Sequence, residues 1–175
     1  MNALVVYESV YGNTREVAEA IAEGLGGASV APVAKADQAP DADLLVVGGP
    51  THMHGLASSR TRQVAVAAAH EDGSHVEPGA GEEPGLRTWL RDLPVARGAR
   101  SAAFDTRLDK APWITGVASR GIARRLRQRG FEVVGSESFL VRDSEGPLED
   151  GEVDRARAWG SELAGSLAAT SGAAS

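Results

Sequence analysis

The sequence predicts an α/β fold, a five-stranded parallel sheet with helices on both faces, and three observations lead there. Apolar runs of strand length alternate with segments whose apolar residues recur at three and four positions, the pattern of successive βαβ units. The two strongest runs, Ala3-Leu4-Val5-Val6-Tyr7 and Leu44-Leu45-Val46-Val47-Gly48, are continuously apolar, as strands buried on both faces are. The chain has 175 residues, 42% hydrophobic and 24% charged, enough for one core-bearing domain, placed at 1–168 with a flexible tail over 169–175.

Each element follows in order. After the first strand, Val17, Ala18, Ile21, Ala22 and Leu25 are spaced by three and four, so Thr14 to Leu25 is an amphipathic helix stopped by Gly26-Gly27. Ala28 to Val33 is a weaker strand, Leu44 to Gly48 the third, and Ser58 to Ala69 a helix. Glu71 to Gly85 is rich in Gly, Pro and Glu and reads as a mobile loop, followed by a short helix over Leu86 to Leu93. Ser101 to Phe104 is the fourth strand, and Val117 to Arg129 a helix with an inner stripe of Ala118, Ile122 and Leu126, stopped by Gly130. Phe131 to Val134, resuming at Ser138 to Val141, is the fifth strand, and Glu152 to Leu167 closes the chain as a helix.

Composition excludes several chemistries. With no cysteine there is no disulfide framework, thiolate nucleophile or Cys-ligated cluster. The opening residues have neither the basic start nor the long apolar run of a signal peptide, and no segment has the length of a membrane span, so a cytoplasmic location is expected. The net charge of -6 argues against nucleic-acid binding, yet the charge is uneven. Residues 1–86 carry 4 basic and 12 acidic side chains, whereas Arg87 to Arg129 alone holds 11 basic against 3 acidic. That stretch is read as solvated helix faces, with attraction for an acidic partner or a phosphorylated ligand as the alternative.

In an open parallel sheet, ligands bind beyond the carboxyl ends of the strands, so the loops after strands one, three and four are the candidate sites. The first, Glu8-Ser9-Val10-Tyr11-Gly12-Asn13-Thr14, runs directly into a helix. Backbone N–H groups at a helix start, with Ser, Thr and Asn as further donors and Gly12 allowing close approach, suit a phosphate. The plainer reading makes Asn13 the N-cap, with Glu16 completing a capping-box variant. The second loop, Gly48-Gly49-Pro50-Thr51-His52-Met53-His54-Gly55, leaves its strand through a Gly-Pro turn and presents flat or polarizable side chains suited to an aromatic ring system. The third is Asp105-Thr106-Arg107, with Trp113 a few residues on.

On these residues the chain resembles the flavodoxin-like FMN-binding proteins over Leu4 to about Leu167. The resemblance rests on Tyr7-Glu8-Ser9-Val10-Tyr11-Gly12-Asn13-Thr14 and Val46-Val47-Gly48-Gly49-Pro50-Thr51; Ala102 to Arg107 and Gly130 to Val134 look like the actinobacterial type. It implies a three-layer sandwich with strand order 2-1-3-4-5 and a non-covalent FMN. Ser9, Tyr11, Gly12, Asn13 and Thr14 would then hold the phosphate. Pro50, Thr51, His52, Met53, His54 and Gly55 would border one edge of the isoalloxazine, Asp105, Thr106 and Arg107 its pyrimidine side, and Trp113 would contact the ring or pack on the sheet edge. Val10-Tyr11 stands where flavodoxins proper more often repeat small hydroxyl residues.

Two other patterns are weaker. His52-x-His54 has the spacing of a metal-binding pair, but no third ligand follows it closely, so no metal is assigned. The glycines of 79–85 imitate a dinucleotide loop, but no strand precedes them. The function expected is electron transfer through bound FMN, to a redox partner protein or a small acceptor. The alternatives are an NAD(P)H-dependent quinone reductase and a module that has kept the fold and lost the flavin. Ring polar atoms would be met mainly by backbone groups, so no catalytic residue is assigned.

Overall fold

The computed structural model describes residues 2–37, 41–52, 55–56, 63–64, 66–67, 76–111 and 115–172. The strands are β1 (Ala3–Tyr7), β2 (Ser29–Pro32), β3 (Leu44–His52), the short β4 (Gly55–Leu56), β5 (Arg100–Leu108) and β6 (Glu132–Val141). Helices α1 (Asn13–Gly24), α2 (Leu86–Asp92), α3 (Ala118–Gln128) and α4 (Glu152–Gly172) connect or flank them. Five strands form a parallel sheet in the order β2-β1-β3-β5-β6, and β4 folds back antiparallel on the end of β3. Leaving out that short strand, this is the expected order. No described helix is long and apolar enough to cross a membrane.

Alternation within the apolar runs explains why they are continuous. Val5, Leu44, Val46 and Phe104 face one core with α1 and α4, while Val6, Leu45, Val47 and Ala103 face the other with α2 and α3. The inner stripe of α3, Ala118, Ile122 and Leu126, is fully buried as its spacing predicts, and Trp89 of α2 lies beneath the same layer. On the opposite face α1 and α4 touch backbone to backbone. A Cβ on Gly24 would meet the Arg157 carbonyl oxygen at 2.0 Å, and one on Gly160 the Ile21 carbonyl oxygen at 2.3 Å.

Several boundaries differ from expectation. β3 continues through Gly49-Pro50-Thr51 to His52, and β5 through Asp105-Thr106-Arg107 to Leu108, so residues expected in loops are strand ends. Their ladder persists, with Gly49 opposite Asp105 and Pro50 opposite Thr106. β6 is one strand with a bulge: Ser101 pairs with Val133 but Ala102 with Gly135, leaving Val134 extra. Its free edge is covered by α4, where Glu152 accepts from the Leu140 amide at 2.7 Å and Arg155 donates to the Ser138 carbonyl. α4 reaches Gly172, past the expected start of the tail. The helix expected over 58–69 lies largely outside the described residues; Gln63, Val64, Val66 and Ala67 are helical.

The helix contact generates a controlled prediction. Gly160→Ala forces α1 and α4 apart and lowers stability by about 1–3 kcal/mol despite the better helix former. Gly165→Ala, in the same helix with nothing within 4 Å of the added carbon, raises it by roughly 0.5–1 kcal/mol. Urea midpoints of the two variants check this; shifts of the same sign would refute the backbone contact.

Candidate functional site

The junction of β1 and α1 is built around a glycine. Gly12 has φ 96° and ψ -23°, the left-handed region, and is itself the N-cap of α1, with no side chain capping the helix. Its amide donates to Ser9 Oγ at 3.1 Å, which closes the turn. The first helical bond runs from the Glu16 amide to the Gly12 carbonyl, so the amides of Asn13, Thr14 and Arg15 have no partner within the helix. The expected capping role of Asn13 is therefore corrected: it is the first helical residue, and its Nδ2 donates to the Glu145 carbonyl at 2.8 Å.

Two hydroxyl contacts tie this loop to the other strand ends. Thr14 Oγ1 and Thr106 Oγ1 lie 2.8 Å apart in a buried hydrogen bond between α1 and β5. Thr51 Oγ1 donates to Asp105 Oδ2 at 2.6 Å and accepts from the Ala118 amide at 3.0 Å, while that amide also donates to Asp105 Oδ2 at 2.5 Å. Asp105 thus binds β3, β5 and the start of α3 together. It is fully buried, takes part in this support, and is not among the residues that line the cleft.

A cleft of about 300 Å³ opens over these ends. Ser9, Tyr11, Asn13, Thr14, Pro50, Thr51, Thr106 and Arg107 line it, so eight expected residues from three separate segments converge, with Gly12 in the same turn. His52 pairs with Gly55 at the β3–β4 turn, next along the chain from Pro50 and Thr51. Met53, His54 and Trp113 lie outside the described residues.

One wall was missed by sequence reasoning. Val141 and Ser144 line the cleft, and the segment after β6 folds over Asn13 so closely that a Cβ on Gly146, at φ 107°, would meet Asn13 Oδ1 at 2.3 Å. The Gly146-Pro147 pair was the available signal, a turn dipeptide a few residues after a strand.

Among the described residues that line the cleft there is no carboxylate. Nearby acids are engaged elsewhere: Glu8 accepts from the Leu86 amide at 2.7 Å, and Glu77 pairs with Arg15 at 3.0 Å. The latter ties down part of the loop expected to be mobile, because the Glu77 amide also donates to the Val10 carbonyl at 2.8 Å. Arg107 Nη1 donates to the carbonyls of Leu108 and Lys110, while its Nε is buried with no acceptor among the described residues. The cleft therefore presents helix-start amides, hydroxyls and a guanidinium, a donor set for an anion.

Residues 4–64 match the family model described as a flavodoxin domain. The fold is flavodoxin-like. Solved structures agree across its length: a flavodoxin of Streptococcus pneumoniae is 19% identical, with TM-score 0.63, covering 95% of this chain and 99% of that one. Flavodoxin 1 of Bacillus cereus is 18% identical, TM-score 0.61, covering 93% and 97%. An archaeal flavodoxin is 20% identical, TM-score 0.58, covering 95% and 99%. None of the curated proteins matches the sequence. The likeness to solved structures establishes the flavodoxin-like fold, with the cleft at the carboxyl ends of β1, β3 and β5.

The Asp105 support predicts that Thr51→Val, which removes a hydroxyl from a buried carboxylate, lowers stability by about 1–3 kcal/mol. Thr51→Ser, which keeps the hydroxyl, loses less than half of that. Chemical denaturation of the pair checks this, and equal losses would show that only the packing of the methyl group matters.

Proposed function

We propose that the protein binds FMN non-covalently in this cleft and carries electrons between redox partners. The observation that carries the reading is the lining itself: amides at the start of α1 with no partner inside the helix, the hydroxyls of Ser9 and of the Thr14–Thr106 pair, Arg107, and no carboxylate among the described lining residues. Such a set fits a phosphate, because helix-start amides and a guanidinium favour negative charge, and Glu77, which lies against Gly12, is paired with Arg15. The buried Nε of Arg107 is a donor in want of an acceptor, as expected of a wall that meets a polar ligand. When bound, the flavin supplies the redox chemistry, and the protein supplies position and electrostatics.

In this reading the residues divide the work. Ser9, Gly12, Asn13 and Thr14 hold the phosphate, and Tyr11 borders it in place of a small hydroxyl residue. Pro50, Thr51, His52, Met53, His54 and Gly55 flank one edge of the ring, and Thr106, Arg107 and Trp113 another. Asp105 acts only through Thr51 and the start of α3, as a positioning residue. No side chain is required as acid or base, which suits a carrier. An enzyme reducing a quinone-like acceptor would use the same cleft and would oxidise a nicotinamide donor without any added reductase. The location proposed is the cytoplasm.

The visible spectrum of the purified protein, before and after adding FMN and removing the excess, tests the reading. Retained flavin absorbance supports it; a colourless protein that rejects FMN refutes it. Ser9→Ala combined with Thr14→Ala is expected to weaken FMN by at least tenfold, since each hydrogen bond to a charged group contributes about 1.5–3 kcal/mol. Fluorescence titration gives the affinity, and an unchanged value would remove these two residues from the phosphate site. NADH or NADPH oxidation by the loaded protein alone would replace the carrier with the reductase.

A further inference from the structure

The two helical layers treat their arginines differently. On the α1 and α4 side, Arg15 pairs with Glu19 and Glu77, Arg155 with Glu137 and Glu152, and Arg157 with Glu23 and Asp154. On α3, Arg120, Arg124 and Arg127 stand at i, i+4 and i+7, in one stripe roughly 10 Å long. All three are exposed, and none forms a salt bridge among the described residues. Like charges at that spacing repel and weaken a helix, so stability does not account for them. The field is felt by their neighbour: burial first, then the charges of Arg87 and Arg124, pull the Arg125 guanidinium below its usual pKa.

The stripe begins next to the framework that supports the cleft. The first amide of α3 is the one held by Thr51 and Asp105, and α3 packs on β3, whose Pro50 and Thr51 line the cleft, and on β4. Arg120 also lines a polar hollow shared with Arg107, whose side chain lines the cleft as well. A body resting on this face is therefore brought to the rim of the cofactor site.

We propose that the Arg120, Arg124 and Arg127 face of α3 docks an acidic protein that exchanges electrons with the cofactor, a proposal that rests on the FMN reading above. A compact carboxylate patch matches a short stripe. A long polyanion would also run over the rest of a chain whose net charge is -6 and whose first 86 residues carry the acidic excess, and would be repelled there. A second copy is a poorer occupant, because Glu19 and Glu23 of α1 are already paired with Arg15 and Arg157. Charge of this kind steers approach and fixes orientation, and salt screens it.

The experiment uses an acidic [2Fe–2S] ferredoxin as probe, with basic cytochrome c as the opposite charge. Calorimetric titration compares the FMN-loaded wild type with the Arg120→Gln, Arg124→Gln, Arg127→Gln triple variant at low and high salt. The expected result is binding of ferredoxin at low salt, weakened roughly tenfold or more in the triple variant, with the difference lost at high salt. Stopped-flow transfer of one electron from reduced ferredoxin to the loaded protein should slow by a similar factor. The triple variant should melt no lower than wild type, since repulsion is relieved; if it does melt lower, Arg124→Gln alone carries the comparison. Equal affinity of variant and wild type, or a wild type that prefers cytochrome c, overturns the proposal. So does duplex DNA binding more tightly than ferredoxin with the same arginine dependence. If the chain rejects FMN, the functional reading fails by its spectrum, while salt- and arginine-dependent binding of ferredoxin to the cofactor-free protein still tests the docking face separately.

Discussion

A carboxylate buried away from water calls for donors, and Asp105 draws in two elements through its Oδ2, while its Oδ1 has no partner among the described residues. Its Oδ2 receives the Thr51 hydroxyl from β3 and the first amide of α3, so a charge within β5 fixes its two neighbours. Negative charge at a helix start is favourable in itself, which gives the contact a direction as well as a strength. The consequence is geometric. The ladder between β3 and β5 continues to Pro50 and Thr106, and these prolonged ends form the floor of the cleft. Thr14 and Thr106 then bring α1 onto the same floor through paired hydroxyls. The apolar core shapes the sheet, but polar ties shape the site.

That division explains what was legible in the sequence. Val5, Val6, Leu44 to Val47 and the stripe of α3 are placed by burial alone, and burial leaves a periodic trace. Asp105, Thr106 and Arg107 look like a loop because polar residues end an apolar run, yet they are strand, with Asp105 and Thr106 bonded to partners remote in sequence. β6 looks broken for a related reason: Gly135, Ser136 and Glu137 belong to an edge strand, where one side meets α4 instead of another strand. The convergence of eight site residues was legible because a parallel sheet brings its carboxyl ends together whatever their side chains. The wall of Val141 and Ser144 was not, since the Asn13 to Glu145 contact joins residues 132 positions apart with no local pattern.

The electrostatics of the site follow from where acidic side chains are engaged. Glu8, Glu77 and Asp105 all lie near the loop ends of an acidic chain, and each would oppose a bound anion if it faced the cleft. Instead each is directed to an N–H or guanidinium of the supporting framework: Leu86, Arg15 and Ala118. The supporting framework uses the negative charge, and the amides at the start of α1 remain without partners inside the helix. An anion held here, as proposed, would be met without a lysine or arginine of the turn directed at it, because Arg15 is already held by Glu77. Arg107, on the opposite wall, is the charged side chain left to complement it.

The same logic separates the two faces of the molecule. Between α1 and α4 the arginines are paired and the backbones touch at Gly24 and Gly160, so that layer tolerates little displacement. On α3 the apolar stripe is fully buried while the opposite stripe carries unpaired positive charge, so burial fixes the helix and leaves its outer face unconstrained. Because α3 is anchored at its first amide to the floor of the cleft, an event on that outer face and one in the cleft share a single rigid connection through Asp105. Changing the outer arginines alters no contact of the cleft floor, whereas changing Thr51 or Asp105 alters both; the two roles are therefore separable in one direction only.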